Sequence, residues 1–208
     1  MRIKICGLFR DEDIDYVNEA KPDYAGFVFA QSSRQVSPPL AQYLRFRLAN
    51  AIIPVGVFVN SPADFIAQLY HSGVISIAQL HGSEDDSYIA RLKKLCKTET
   101  RQIRIEPIKI IKSINVTKNT IEKNSYINPD YLLLDSGAGS GKTFNWETFK
   151  SKKFDKPWFL AGGVNIKNIK QAMELNPYTI DVSSGAETDG FKDRKKILQL
   201  VSMCRDHS

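Results

Sequence analysis

The sequence predicts a (β/α)8 TIM barrel, an α/β fold, from three observations. Eight short runs rich in β-branched and aromatic residues recur along the chain. Longer amphipathic segments separate them. Glycines, serines and chemically capable side chains stand at the ends of the runs, where parallel α/β folds place their sites. Eight units in 208 residues leave about 26 per unit, near the lower end for such a barrel. A doubly wound open sheet is the alternative, but it does not call for eight regular repeats. No linker, low-complexity tract or shift in composition divides the chain, so residues 1–208 are expected to form a single domain.

The strands are expected, in order, at Arg2–Cys6, Tyr24–Phe29, Pro54–Val59, Ile75–Leu80, Ile108–Lys112, Tyr131–Asp135, Trp158–Ala161 and Thr179–Ser183. The first helix, Asp11–Ala20, opens with acidic residues, as the positive end of a helix dipole prefers. The second, Pro38–Asn50, has Ser37 as its cap and prolines in the first turn. For Ser61–Ser72 the cap is Ser61, with Pro62 at the first helical position. For Ser83–Lys97, Ser83 followed by Asp86 approximates a capping box. Asn165–Leu175 and Asp189–Cys204 show helical spacing. A helix is also expected between Ile114 and Asn128, although Asn- and Thr-rich composition weakens its signal.

Composition narrows the class. A hydrophobic fraction of 42% with 25% charged residues is that of a globular protein, and no long uncharged apolar run predicts a membrane span. The N-terminus reads as a strand containing Arg2 and Lys4 rather than a signal peptide. Three cysteines without a C-x-x-C pair argue against a disulfide framework and for a reducing compartment, with the cytoplasm as default. The net charge of +6 is spread out. Its densest stretches, Lys150–Lys156 and Lys192–Lys196, carry no recognition pattern, so no nucleic-acid partner is expected.

Chemistry is expected at the strand tips. Lys4-Ile5-Cys6-Gly7 puts a thiol at the end of the first strand. Cys6 is readable as a base or as a small buried hydrophobe. Side chains two apart share a strand face, so Lys4 is expected one layer below Cys6, where its ammonium would favour the thiolate. Asp135 closes an apolar strand, where a carboxylate is costly without a partner or a task. A general acid and a cap are both open readings. Arg34 follows the second strand, as a carboxylate-binding guanidinium or as a surface residue. Gly162 and Gly163, with Ser183, Ser184 and Gly185, end the last two strands and suit a phosphate site. The stretch Gly137–Thr143 misses the phosphate-loop pattern because Ser136 stands where the first glycine belongs. It reads instead as a glycine-rich active-site loop. His71, His81 and His207 form no metal motif, so no metal is expected. His81 at the fourth strand end is read as a structural histidine near the mouth.

Taken together, these segments resemble the phosphoribosylanthranilate isomerase family. The resemblance is carried by Lys4–Gly7, Gly26–Phe29 with Ser32–Arg34, Val55–Asn60, Gln79–Gly82, Leu132–Ser136, Gly139–Trp146, Leu160–Gly163 and Asp181–Glu187. Thr98–Pro129 matches poorly. The resemblance implies a single catalytic barrel running a cofactor-free Amadori rearrangement of a small phosphorylated substrate, as a monomer or homodimer. It implies Cys6 as base, Asp135 as acid, Arg34 on the anthranilate carboxylate, and the last two strand ends on the phosphate. Three rivals define the contrast: the related histidine-pathway ribotide isomerase, a non-catalytic phosphate-binding barrel, and a basic nucleic-acid binder.

Overall fold

The computed structural model describes residues 1–99, 104–105, 107–115, 127–135 and 154–206. Eight parallel strands close into a barrel. They are β1 (Arg2–Cys6), β2 (Tyr24–Val28), β3 (Ile53–Phe58), β4 (Ile77–Leu80), β5 (Lys109–Asn115), β6 (Tyr131–Asp135), β7 (Trp158–Leu160) and β8 (Thr179–Val182). Each strand pairs with its neighbours in sequence, and β8 returns to β1 through Arg2–Thr179 to Ile5–Val182. Closure leaves the barrel itself without an open strand edge, which removes the pairing hazard of a flat sheet. The described helices are α1 (Asp11–Ala20), α2 (Pro38–Arg47), α3 (Ala63–His71), α4 (Asp86–Cys96), α5 (Ile169–Glu174) and α6 (Arg194–Arg205). None of them is long and apolar enough to cross a membrane.

The period-two alternation of each strand sorts the core into two layers. Outward residues such as Ile3, Ile5, Ala25, Phe27, Ile110 and Ile180 pack beneath the helices. Inward residues Tyr24, Val55, Ile77, Ile111, Tyr131, Leu133 and Phe159 fill the barrel itself. At the end where the strands begin, Tyr24, Tyr131 and Tyr178 gather around Phe159, with ring centroids 5.5–6.1 Å apart. That end is therefore plugged, and the inward positions further along the strands are left to polar side chains.

Several element starts differ from the sequence expectation, each for a local reason. Helix α3 begins at Ala63 with Pro62 as its cap residue and no side-chain cap, so Ser61 does not cap it. Helix α4 is capped by Asp85, whose carboxylate accepts from Tyr88 N at 2.8 Å. Ser83 instead donates twice to Asn60 Oδ1. The stretch expected to open the last helix at Asp189 is a turn between two short antiparallel strands, Glu187–Thr188 and Phe191–Lys192. Asp189 and Gly190 have φ of 52° and 82°, the left-handed pair that an Asp-Gly hairpin requires. Helix α6 starts only at Arg194, capped by Asp193. Ile114 and Asn115 extend β5 rather than begin a helix. Most of the helix expected between them and Asn128 lies outside the described residues, as does the Gly137–Thr143 stretch.

Candidate active site

The inward side chains at the C-terminal strand ends enclose a cavity of about 490 Å³. Cys6, Arg34, Asp135, Gly162, Gly163, Ser183 and Ser184 all line it. Gly185 does not. A Cβ there would overlap the Val164 carbonyl oxygen, so its bare backbone lets the loops after β7 and β8 press together. Gly162 and Gly163 have φ of 92° and 70°, a conformation that few side chains tolerate.

Strand register sets the base side of the cavity. Cys6 sits opposite Gly26 on β2, and a Cβ on Gly26 would stand 2.7 Å from the sulfur. Gly7, at φ 84°, lies under the Arg34 stem, whose Cδ is 2.5 Å from where a Cβ would be. Below Cys6, fully buried Lys4 donates to Asp181 Oδ2 at 2.7 Å and to Gln79 Oε1 at 2.8 Å. The layer order follows the alternation read from the sequence, but its electrostatic result differs. Burial pushes the Cys6 thiol up, and the Lys4 ammonium, though it pulls the other way, does not offset this; Asp181 adds to the upward push. Burial acts to lower Lys4, yet the Asp181 carboxylate holds it above its ordinary value. The ammonium is thus committed first to Asp181 and only then to the sulfur.

Across the cavity, Asp135 at the tip of β6 has its Oδ2 3.2 Å from His81 Nε2. His81 is placed by a clamp in the loop after β4. Glu84 accepts from Asn60 N at 2.6 Å and Gly82 N at 2.9 Å. Buried Lys112 bridges Glu84 and the Gly82 carbonyl at 3.0 and 2.7 Å. Gly82 is required because a Cβ would collide with the Asn60 carboxamide.

Arg34 is a partly buried residue with a fixed fork. Its Nε and Nη2 donate to the two oxygens of Glu187, each at 2.6 Å. Glu187 also pairs with buried Lys192, which donates to the Ser183 carbonyl at 3.2 Å. Burial alone would raise the Glu187 carboxyl, but Arg34 and Lys192 together hold it below the ordinary range.

Sequence reasoning did not find Gln79, Asp181, Glu187 or Lys192 as parts of this site. The contacts that tie Gln79 and Asp181 to Lys4, and Glu187 to Arg34, span 75 residues or more. A signal existed for two of them: Gln79 and Asp181 are polar at inward positions of otherwise apolar strands. Among the described residues, no three His, Cys, Asp or Glu side chains are grouped to hold a metal.

Residues 3–203 match the family model of N-(5′-phosphoribosyl)anthranilate isomerase. A relative of that name from Endomicrobium trichonymphae is 44% identical over 210 residues, covering 98% of each chain. The crystal structure of TrpF from Jonesia denitrificans superposes with a TM-score of 0.82 at 30% identity, covering 100% of this chain and 98% of that one. A phosphoribosyl anthranilate isomerase in complex with reduced 1-(o-carboxyphenylamino)-1-deoxyribulose 5-phosphate gives a TM-score of 0.77 at 27% identity, with 99% of both chains covered. The closed barrel and the near-complete match along the sequence lead to one conclusion: the chain belongs to the N-(5′-phosphoribosyl)anthranilate isomerase family, aldose–ketose isomerases of tryptophan biosynthesis.

Proposed function

We propose that residues 1–208 form one catalytic domain that converts N-(5′-phosphoribosyl)anthranilate to 1-(2-carboxyphenylamino)-1-deoxyribulose 5-phosphate, with Asp135 as general acid and Cys6 as general base. One observation carries this assignment: Cys6 and Asp135 open into the same cavity from strands three places apart in the closed ring. Its volume of about 490 Å³ suits a single small ligand.

Asp135 gives its proton to the ribose ring oxygen as the C1–O bond breaks, and the nitrogen lone pair forms an iminium. The Cys6 thiolate then takes the C2 proton, and the C2–H electrons become the enolamine double bond. Tautomerisation delivers the aminoketose. A thiol held high by burial carries little of the thiolate that acts as base. The iminium changes this, since a positive charge beside the sulfur favours its anionic form. Acid before base is therefore the productive order.

We assign the two ends of the substrate to opposite sides of the cavity. A guanidinium carries five N–H donors, of which Glu187 takes two from Arg34; the remaining donors are assigned to the anthranilate carboxylate. Gly162, Gly163, Ser183 and Ser184 are assigned to the phosphate, with Gly185 holding the two loops in contact. Fixing both ends brings the reacting carbons to the acid and the base.

The test follows the loss of anthranilate-substrate fluorescence in Cys6→Ala and Asp135→Asn. Each is expected to lower kcat by about 10²- to 10⁴-fold, the usual contribution of a positioned acid or base, with the thermal unfolding midpoint little changed. Near-normal turnover in either variant rejects that residue's role.

A further inference from the structure

A chain of hydrogen bonds, ending in one ion-pair contact, crosses the floor of the cavity. Asp181 Oδ2 accepts from Lys4 Nζ at 2.7 Å, and Lys4 Nζ donates to Gln79 Oε1 at 2.8 Å. Gln79 Nε2 is 3.3 Å from His81 Nδ1, and His81 Nε2 is 3.2 Å from Asp135 Oδ2. Ser113 Oγ, on β5, lies 3.4 Å from the same Nε2.

The donor inventory fixes every proton along this chain. An ammonium only donates, so the oxygen of the Gln79 amide must face Lys4. Its NH2 group then faces His81, and an amide NH2 only donates as well. Nδ1 must therefore be the bare acceptor nitrogen, which leaves the ring hydrogen on Nε2, the nitrogen 3.2 Å from Asp135 Oδ2.

We propose that His81 is a positioning residue for Asp135, locked by Lys4 and Gln79 as the neutral Nε2–H tautomer so that it orients the carboxyl group and stabilises the carboxylate left when the proton is delivered. This rests on Asp135 being the acid. Lys4 consequently touches both halves of the machinery: it lies under the base and, through one amide, sets the hydrogen that holds the acid. The groups facing His81 are Gln79 from its own strand, Ser113 from β5 and Asp135 from β6, with Lys4 and Asp181 acting through Gln79.

The test has a spectroscopic arm and a kinetic arm. In the intact protein, long-range ¹H–¹⁵N correlation at neutral pH is expected to show His81 as Nε2–H. Gln79→Glu keeps the shape but replaces the NH2 donor with an oxygen acceptor, so it should move a hydrogen to Nδ1. Finding Nδ1–H or the imidazolium in the wild type overturns the proposal, and so does an unchanged tautomer in Gln79→Glu. In the kinetic arm, His81→Ala and Gln79→Glu should each lower kcat about 10- to 100-fold with KM within about threefold, a part of what a general acid supplies. The Asp135 carboxyl midpoint, followed by ¹³C NMR, should move up in His81→Ala, because its charged form loses a donor. Wild-type kcat and an unmoved midpoint in that variant, beside an inactive Asp135→Asn, overturn the positioning role alone. An active Asp135→Asn overturns the acid assignment beneath it.

Discussion

Gly26→Ala is a one-methyl perturbation of the site that removes none of its chemically active groups. Gly26 faces into the barrel opposite Cys6, and the new Cβ would lie 2.7 Å from Sγ, 3.2 Å from Cβ and 3.0 Å from Cα of that residue. Ordinary carbon contacts are about 3.5–4.0 Å, so the sulfur must retreat by roughly 1 Å. Rotating the thiol relieves only the sulfur contact. The Cα belongs to β1, which is bonded on one side to β8 and on the other to β2, so it has little room to yield. Such overpacking costs about 1–3 kcal/mol, within the roughly 5–15 kcal/mol that keeps a domain folded. The variant should therefore fold, with a lowered urea midpoint. If Cys6 is the base, as proposed, its displacement by about 1 Å costs on the order of 100-fold in rate. The measurements are kcat/KM toward N-(5′-phosphoribosyl)anthranilate and urea unfolding on the same preparation. A kcat/KM within about threefold of the wild type in a folded Gly26→Ala would refute the argument that this glycine sets the thiol's position.

Two further outcomes follow from the Arg34–Glu187–Lys192 cluster. Arg34→Lys replaces a fork with a point charge, and KM should rise about 10-fold, near 1.4 kcal/mol, with a smaller change in kcat. Unchanged KM and kcat would remove Arg34 from carboxylate binding. Glu187 is held below its unfolded value of about 4.3, so the folded state favours its charged form. Its stabilising contribution is complete above that value and is lost as pH falls through the lower folded value. Urea unfolding from pH 7 to pH 3 should show the gap between wild type and Glu187→Gln narrowing below about pH 4.3. A gap constant across that range contradicts the assignment.

How much of this was legible depends on how far each interaction reaches along the chain. Strand positions and inward faces were readable because alternation is local: Arg2–Cys6 and Tyr131–Asp135 fall where the pattern puts them. Helix starts were harder, because cap candidates stand close together and tertiary contacts choose among them. Ser83 and Asp85 both qualify, and Asn60, from the preceding βα loop, claims Ser83. The helical spacing of Asp189–Cys204 hid the turn at Asp189-Gly190, whose left-handed backbone serves a hairpin too short to show a strand pattern. Arg34 looked as much a surface residue as a ligand because Glu187, its anchor, lies 153 positions away. The Lys4 geometry was legible and its effect on Cys6 was not, since that depends on Asp181, 177 positions along, competing for the same ammonium.

The buried Lys4–Asp181 pair is hard to explain by stability. Its side chains are 0% and 7% exposed, so both charges have lost nearly all their water. Apolar pairs of similar size at such positions are often as stable or more so. Asp181 Oδ1 is in addition a buried acceptor without a hydrogen-bond partner among the described residues, and such a group costs about 1–3 kcal/mol. Burial of this kind is tolerated when the charges have work that a leucine cannot do. The ammonium dictates the orientation of the Gln79 amide, and a carboxylate beside it keeps it charged. Asp181 also lines the cavity, one layer below Cys6. The buried pair thus lies where its charge fixes the Gln79 amide, directly beneath Cys6.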